Sequence, residues 1–319
     1  MPDPLPPRRS PFARAHDAVQ LVGLSFFLAV SLAAFARGAE SAGTAVLVHA
    51  GLLGATAWIA ARADSPREMG PALSNLHLVW PLPVLSTVFA SIRWLNPAVA
   101  TPGRIFDERL WAIDRDWFGV DIARWSEGFL TAPVADLFMV FYALYFLMPV
   151  VLLGALILRG ERPAIYRTTF TIAVGLYACY ALYMLVPAAG PRNAYVGRSA
   201  PLPEGLLTRW THDVIRDLEP QAWDAFPSAH VVMGLLCAAL AWRLGGWIRW
   251  SMAAVAAGTV LSTLVLRYHY LVDDVVGILI AVGALAAAAF LARRAERKAA
   301  TGAHGDRMGD LLAPTGSAR

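Results

Sequence analysis

Between two long apolar runs lies Val265-Leu-Arg-Tyr-His-Tyr-Leu-Val-Asp-Asp-Val-Val-Gly277, with an arginine, a histidine and two adjacent aspartates at the threshold of a hydrophobic helix. His269 and Asp273 are four residues apart. On a helix they share one face, and the carboxylate can accept a hydrogen bond from the imidazole. Asp274 then points about 100° away. An aspartate near a bilayer centre costs roughly 2.5–3.5 kcal/mol on insertion scales, so ionisable groups here are expected to face the bundle interior and to serve a function. A polar helix cap accounts for one aspartate. It does not account for Arg267 and His269 as well.

A second polar threshold is Trp223-Asp-Ala-Phe-Pro-Ser-Ala-His230, directly before another apolar run. Pro227 suits the first turn of a helix, Ser228 offers a hydroxyl, and the free N–H groups with the helix dipole favour an anion. His230 falls in the same turn; alone, it reads as a satisfied interfacial histidine. The third threshold is Val186-Pro-Ala-Ala-Gly-Pro-Arg192, where the Pro-Gly-Pro backbone holds Arg192 near the membrane surface. A guanidinium fork binds phosphate oxygens in pairs. A lone arginine there is a snorkelling anchor.

What joins the three is the arrangement of membrane spans. The chain of 319 residues is 57% hydrophobic and only 16% charged, with mean hydropathy +0.52. Soluble domains carry nearer a quarter charged residues, so the chain is expected to be an all-α integral membrane protein, one polytopic helical bundle. A bilayer core needs roughly 20 apolar residues per helix. About eight spans result, over 18–36, 43–62, 74–93, 134–158, 164–186, 228–245, 247–266 and 269–292, the third kinked by Pro81-Leu-Pro83. Arg8, Arg9, Arg14, Arg62, Arg67, Arg159, Arg162, Arg167, Arg243, Arg249, Arg293, Arg294, Arg297 and Lys298 fall on one side of this arrangement. The positive-inside rule makes that side cytoplasmic, in a cell (inner) membrane, with both termini inside. The run after Arg8-Arg9 also imitates a signal peptide; its removal would leave the remaining orientation unchanged.

The organisation expected is a cytoplasmic segment 1–17, N-terminal transmembrane helices 18–93, a catalytic membrane domain 94–293 and a disordered cytoplasmic tail 294–319. Two outer stretches, 95–133 and 187–227, are long enough to carry function. In the first, Phe106, Leu110, Ile113 and Trp117 recur at helical spacing among charges, which predicts an interfacial amphipathic helix near 105–118, a lid or collar for the bundle. Cys179 and Cys237 lie inside apolar segments and indicate neither a disulfide framework nor zinc. Basic residues form no stripe with interleaved aromatics, so nucleic acid is not an expected partner.

Arg192, Ser228, His230, Arg267, His269 and Asp273 all fall at outer ends of spans, a placement derived from other residues, the inner arginines. Together they form a phosphoryl-transfer kit acting on a lipid phosphate. His269, oriented by Asp273, attacks phosphorus; Arg192, Arg267 and the helix start at Ser228 hold the phosphoryl oxygens; His230 acts as acid and then base. No clustered Asp, Glu and His set is evident in the sequence, so neither a metal nor another cofactor is expected. A transporter or lipid-binding protein is the reading from another class, and it calls for mid-span polar residues and related halves. The sequence is silent on oligomeric state.

FPSAH at 226–230 and HYLVD at 269–273 resemble the second and third motifs of the type 2 phosphatidic acid phosphatase superfamily, and GPR at 190–192 resembles the arginine end of its first. The His-Tyr-x-x-Asp form is closest to the branch of inositol phosphorylceramide and sphingomyelin synthases, and DERLWAIDRDWFG is similar to a segment upstream in that branch. The resemblance covers roughly residues 100–290. It implies a lipid phosphatase or phosphotransferase with a phosphohistidine intermediate, or a head-group transferase. The family's lysine seven residues before its arginine is here Leu185, and Thr263 stands where the phosphatase form has an arginine. Phosphate holding must therefore use fewer or differently placed cations.

Overall fold

The computed structural model describes residues 10–63, 69–101, 103–194, 200–218 and 223–312, and among these all regular secondary structure is helical apart from one isolated bridge. Arg8, Arg9 and Arg67, used above for orientation, lie outside them, as do residues 313–319 of the tail. In chain order the helices are α1 (Pro11–Ala36), α2 (Ala42–Ala63), α3 (Pro71–Val79), α4 (Pro81–Val99), α5 (Asp107–Phe118) and α6 (Ile122–Trp125). There follow α7 (Ala132–Leu144), α8 (Met148–Leu158), α9 (Arg162–Leu185), α10 (Pro191–Ala194), α11 (Leu206–Leu218), α12 (Ala229–Ala241), α13 (Gly246–Val265) and α14 (Leu271–Leu312).

Among the described residues, six stretches are long and apolar enough to cross a membrane: α1, α2, the run 132–158 that joins α7 to α8, α9, α13 and the first 27 residues of α14. The α3–α4 pair makes a seventh if taken as one span, bent by 47° where Pro81 cannot continue the hydrogen-bond ladder. The span expected over 228–245 is shorter: α12 has 13 residues and tightens into a 3₁₀ turn at Trp242–Leu244. Gly245, at φ +68°, then turns the chain into α13. The chain is thus a multi-pass all-α membrane protein.

The segment from 294, expected to be disordered, is instead helical to Leu312. Ala295-Glu-Arg-Lys-Ala-Ala300 are strong helix formers and extend a helix already nucleated by packing.

α9 is the central element. Ile172, Ala173, Leu176, Cys179, Tyr180 and Tyr183 bury its circumference against α1, α4, α8, α12 and α14. α1 runs parallel to α9: His16 meets Tyr166 and, further along both helices, Phe27 meets Tyr180. Polar pins join the N-terminal helices. His49 bridges Ser31 and Ser91 at 2.8 Å each, tying α1, α2 and α4. The Tyr177 hydroxyl donates to Gln20 at 2.9 Å.

Candidate active site

Three loops at one end of the bundle build the site: 186–190 after α9, 223–228 before α12, and 266–270 between α13 and α14. Their main chains are cross-tied. Ala188 and Asp224 form a parallel bridge, with Ala225 N–H donating to Ala188 O at 3.0 Å. Arg192 N–H donates to Arg267 O at 2.8 Å, and Ser228 N–H to Asp273 O at 3.2 Å. Gly190 has φ +80°, and a Cβ there would run into the Tyr268 carbonyl oxygen, so the loops close only around glycine.

α5 clamps this frame from outside. Asp107 and Asp114, seven residues apart, share a helix face. Asp107 accepts from Ala189 N–H at 3.0 Å, Gly190 N–H at 2.9 Å and the Tyr270 hydroxyl at 2.9 Å. Asp114 accepts from Leu271 N–H at 2.7 Å and Val272 N–H at 2.9 Å, satisfying two free donors at the start of α14. Burial pushes both carboxyls above the usual carboxylate range, and the backbone donors pull them back. The amphipathic helix near 105–118 is therefore a staple for the loops. Leu110 completes a small core with Ala188, Ala225, Tyr270 and Val272.

His269 Nδ1 lies 2.7 Å from Ala225 O. A carbonyl only accepts, so the ring proton sits on Nδ1 and Nε2 carries the lone pair. That Nε2 faces His230 Nδ1 at 3.4 Å. Asp273 Oδ2 is 3.5 Å from His269 Nδ1, an ion-pair distance, and accepts the Tyr270 N–H at 2.8 Å. The helical stacking read from the spacing does not form, because α14 begins at Leu271, after His269, and Asp273 folds back to cap the loop. Burial holds the His269 imidazole below its ordinary pKa, with Asp274, the Ala225 bond and Asp224 acting the other way.

His230 packs against the rings of Tyr142 and Tyr145, each with its centroid 4.3 Å away. Ser228 caps α12, its Oγ accepting from Val231 N–H at 3.4 Å, so the helix begins at Ala229 and Pro227 lies before its first turn. Asp274 accepts from Thr263 at 2.8 Å.

Both histidines line a cavity of about 480 Å³ that descends between α4, α8, α9 and α12. Its deeper wall is apolar, made by Leu82, Leu85, Phe89, Ile172, Leu176 and Met233, and Asp224 and Asn193 join the histidines at the polar end. From Tyr183 to Ile172 the cavity follows α9 for roughly 16 Å at 1.5 Å per residue. Exposed Phe146 and Val150 stand at its side.

The two arginines do not line this cavity. Arg192 Nη2 donates to Glu204 at 3.1 Å and meets His212 Nδ1. Its guanidinium lies 5.6 Å from the Tyr268 ring, which stacks on Tyr142 at 4.4 Å, so a column of two tyrosines leads from Arg192 to His230. Arg267 has φ +60°, rare for a side chain of its size; its Nε donates to Ser126 at 3.1 Å and its Nη1 to Ala200 O at 2.6 Å. Burial, then the charge of Arg192, lowers His212 to about 4.

Asp107, Asp114, Asp224, Tyr142, Tyr145, Glu204 and His212 join the site without having been singled out from the sequence. Only the Asp107–Asp114 spacing could have been read there, as two carboxylates on one face of an amphipathic helix.

A family model described as PAP2 superfamily matches residues 108–287, more than half of the chain and all three loops. No curated protein and no solved structure matches the chain.

Proposed function

The chain belongs to the PAP2 superfamily, a family of phosphatase and phosphotransferase-type lipid enzymes, and from that premise we propose that it opens a phosphoester or pyrophosphate of a membrane lipid through a phosphohistidine. The observation that carries this reading is the facing of His269 Nε2 and His230 Nδ1 at the polar end of an apolar cavity. A lipid's chain lies along the apolar wall, and its phosphate comes to rest against the two rings.

His269 Nε2 attacks phosphorus, and the bond from phosphorus to the leaving oxygen breaks. The positive charge gathered on the ring is stabilised through Nδ1–H by Ala225 O and, at slightly longer range, by Asp273. His230, whose protonated form is favoured by the bound phosphate's negative charge, gives its proton to the leaving oxygen. Neutral His230 then takes a proton from the incoming hydroxyl as that oxygen attacks phosphorus and releases His269. Arg192, Arg267 and Ser228 are the proposed phosphate holders. For the arginines this requires rotation of the side chains away from Glu204, His212, Ser126 and Ala200.

If water is the acceptor, the enzyme is a lipid phosphatase. The His-Tyr-x-x-Asp form of HYLVD favours a second reading, a head-group transferase similar to inositol phosphorylceramide synthase, in which an alcohol accepts. In both, the site faces the extracytoplasmic side of a cell (inner) membrane, as the distribution of arginines suggests.

The test is to incubate purified protein with labelled phospholipids, prenyl diphosphates and ceramide, with and without inositol or glycerol. Free phosphate as product supports the phosphatase; a new phosphodiester formed only with the alcohol supports the transferase. Lipid binding without turnover, unchanged in His269→Ala, would show a binding or transport protein and end the proposal.

A further inference from the structure

Far from the histidine pair, at the opposite end of the bundle, the structure gathers a second set of ionisable side chains that phosphoryl transfer does not use. His16 and Asp17 come from the second turn of α1, His77 from the last turn of α3, and Tyr166 from the start of α9. All three ionisable groups are buried: His16 is 1% exposed, Asp17 7% and His77 1%. Tyr166 lies roughly 28 Å along α9 from its Leu185 end, at 1.5 Å per residue. The cluster is not legible in the sequence, because sixty residues separate Asp17 from His77.

We propose that His16, Asp17 and His77 form a binding site for one divalent first-row transition ion of the zinc class. One nitrogen of each imidazole and one carboxylate oxygen lie within 4.8 Å of one another. His16 Nδ1 and His77 Nε2 approach the same oxygen, Asp17 Oδ1, at 3.1 and 2.6 Å. An ion held at about 2.0–2.1 Å from each donor needs donors roughly 3.3–3.4 Å apart in a tetrahedron, within the span of this cluster. Two imidazoles with one carboxylate suit zinc, cobalt or iron, whereas magnesium and calcium sites are built from oxygens.

A supporting group is in place. The Tyr166 hydroxyl lies 2.9 Å from His77 Nδ1, the nitrogen that faces away from the cluster. This is the outer hydrogen bond that orients a ligating imidazole and turns its Nε2 inward. Three protein donors leave the fourth position to water. An ion bound here cross-links α1 and α3 beside α9, joining helices outside the matched region 108–287 to the central helix within it. Such an ion anchors the N-terminal helices and takes no part in the phosphoryl chemistry.

The experiment uses full-length protein carrying a purification tag without histidines, stripped with chelator and titrated with Co²⁺. One equivalent should bind and develop visible d–d absorption bands, and Zn²⁺ should displace it. Tyr166→Phe, which leaves all three ligands in place, should weaken Co²⁺ binding by about 10-fold or more. His77→Asn should abolish the bands, with helix content read by circular dichroism to confirm folding. Wild-type protein that takes up no stoichiometric Co²⁺ or Zn²⁺ would overturn the proposal whatever the variants do. So would undiminished binding in a folded His77→Asn.

Discussion

His269 Nε2 and His230 Nδ1 face each other at 3.4 Å, one ring presented by the loop before α14 and the other by the first turn of α12. The Ala225 carbonyl decides which nitrogen of His269 is free to react. In the proposed reaction both rings meet one phosphorus, and their removal has different signatures. His269→Ala loses the nucleophile, and turnover falls by orders of magnitude with no covalent label. His230→Ala slows transfer by about 10²–10⁴-fold and lets acid-labile phosphate accumulate on His269. Single-turnover assays with labelled substrate, quenched in alkali, separate the two; label on the protein in His269→Ala would contradict the assignment.

The proposed attack requires neutral Nε2, and burial lowers the pKa of His269 from its ordinary value of 6.5. The acid limb of kcat/KM should therefore lie below the usual histidine range. The Asp224 charge favours the imidazolium, so Asp224→Asn should move that limb to still lower pH. A pH–rate profile of both proteins checks the sign, and an upward shift would count against the placement of Asp224.

Asp114 accepts two backbone bonds at the start of α14, each about 1.5–3 kcal/mol as a charged acceptor. Asp114→Ala should cost roughly 3 kcal/mol or more and reduce turnover as the third loop loosens. Asp114→Asn keeps an acceptor oxygen and should lose less of both. Denaturant unfolding in detergent, beside turnover, ranks the three proteins; equal stability would deny α5 its clamping role.

At Gly190 an added methyl meets the Tyr268 carbonyl on a backbone of φ +80°. Gly190→Ala should destabilise by about 1–3 kcal/mol and separate the first and third loops. Amide exchange at Arg192, whose N–H is bonded to Arg267 O, should accelerate in step.

The cavity's α4 wall yields a prediction about chain length. Ser86 is an exposed lining residue, so Ser86→Trp should narrow the cavity with little cost in stability. kcat/KM should fall more for long-chain lipid phosphates than for short-chain ones. A uniform loss would mean that the chain does not lie along α4.

The fold was legible because an apolar run of bilayer length has few other uses, and the three loops because ionisable residues at the ends of such runs are costly. Main-chain partners were not legible. Nothing in the letters of Asp107 and Asp114 says that they receive amides from 189–190 and 271–272, since every residue but proline carries the same donor. The arginines show the converse: the sequence offers Arg192 and Arg267 as phosphate holders, whereas in the structure Glu204, His212, Ser126 and Ala200, from unrelated stretches, engage them away from the cavity. The helical extension beyond 294 was obscured by its glycines and polar residues, which local helix formers outweigh.

The ties among residues 188–192, 224–228 and 267–273 are made largely by peptide groups. A framework of that kind tolerates replacement of the side chains hung on it, provided glycine stays at 190. Residues such as Ala189, Asn193 and Tyr268, which line the cavity, can therefore be randomised without dismantling the scaffold that brings the two imidazoles together. That makes this rim a starting point for laboratory evolution of the cavity's selectivity.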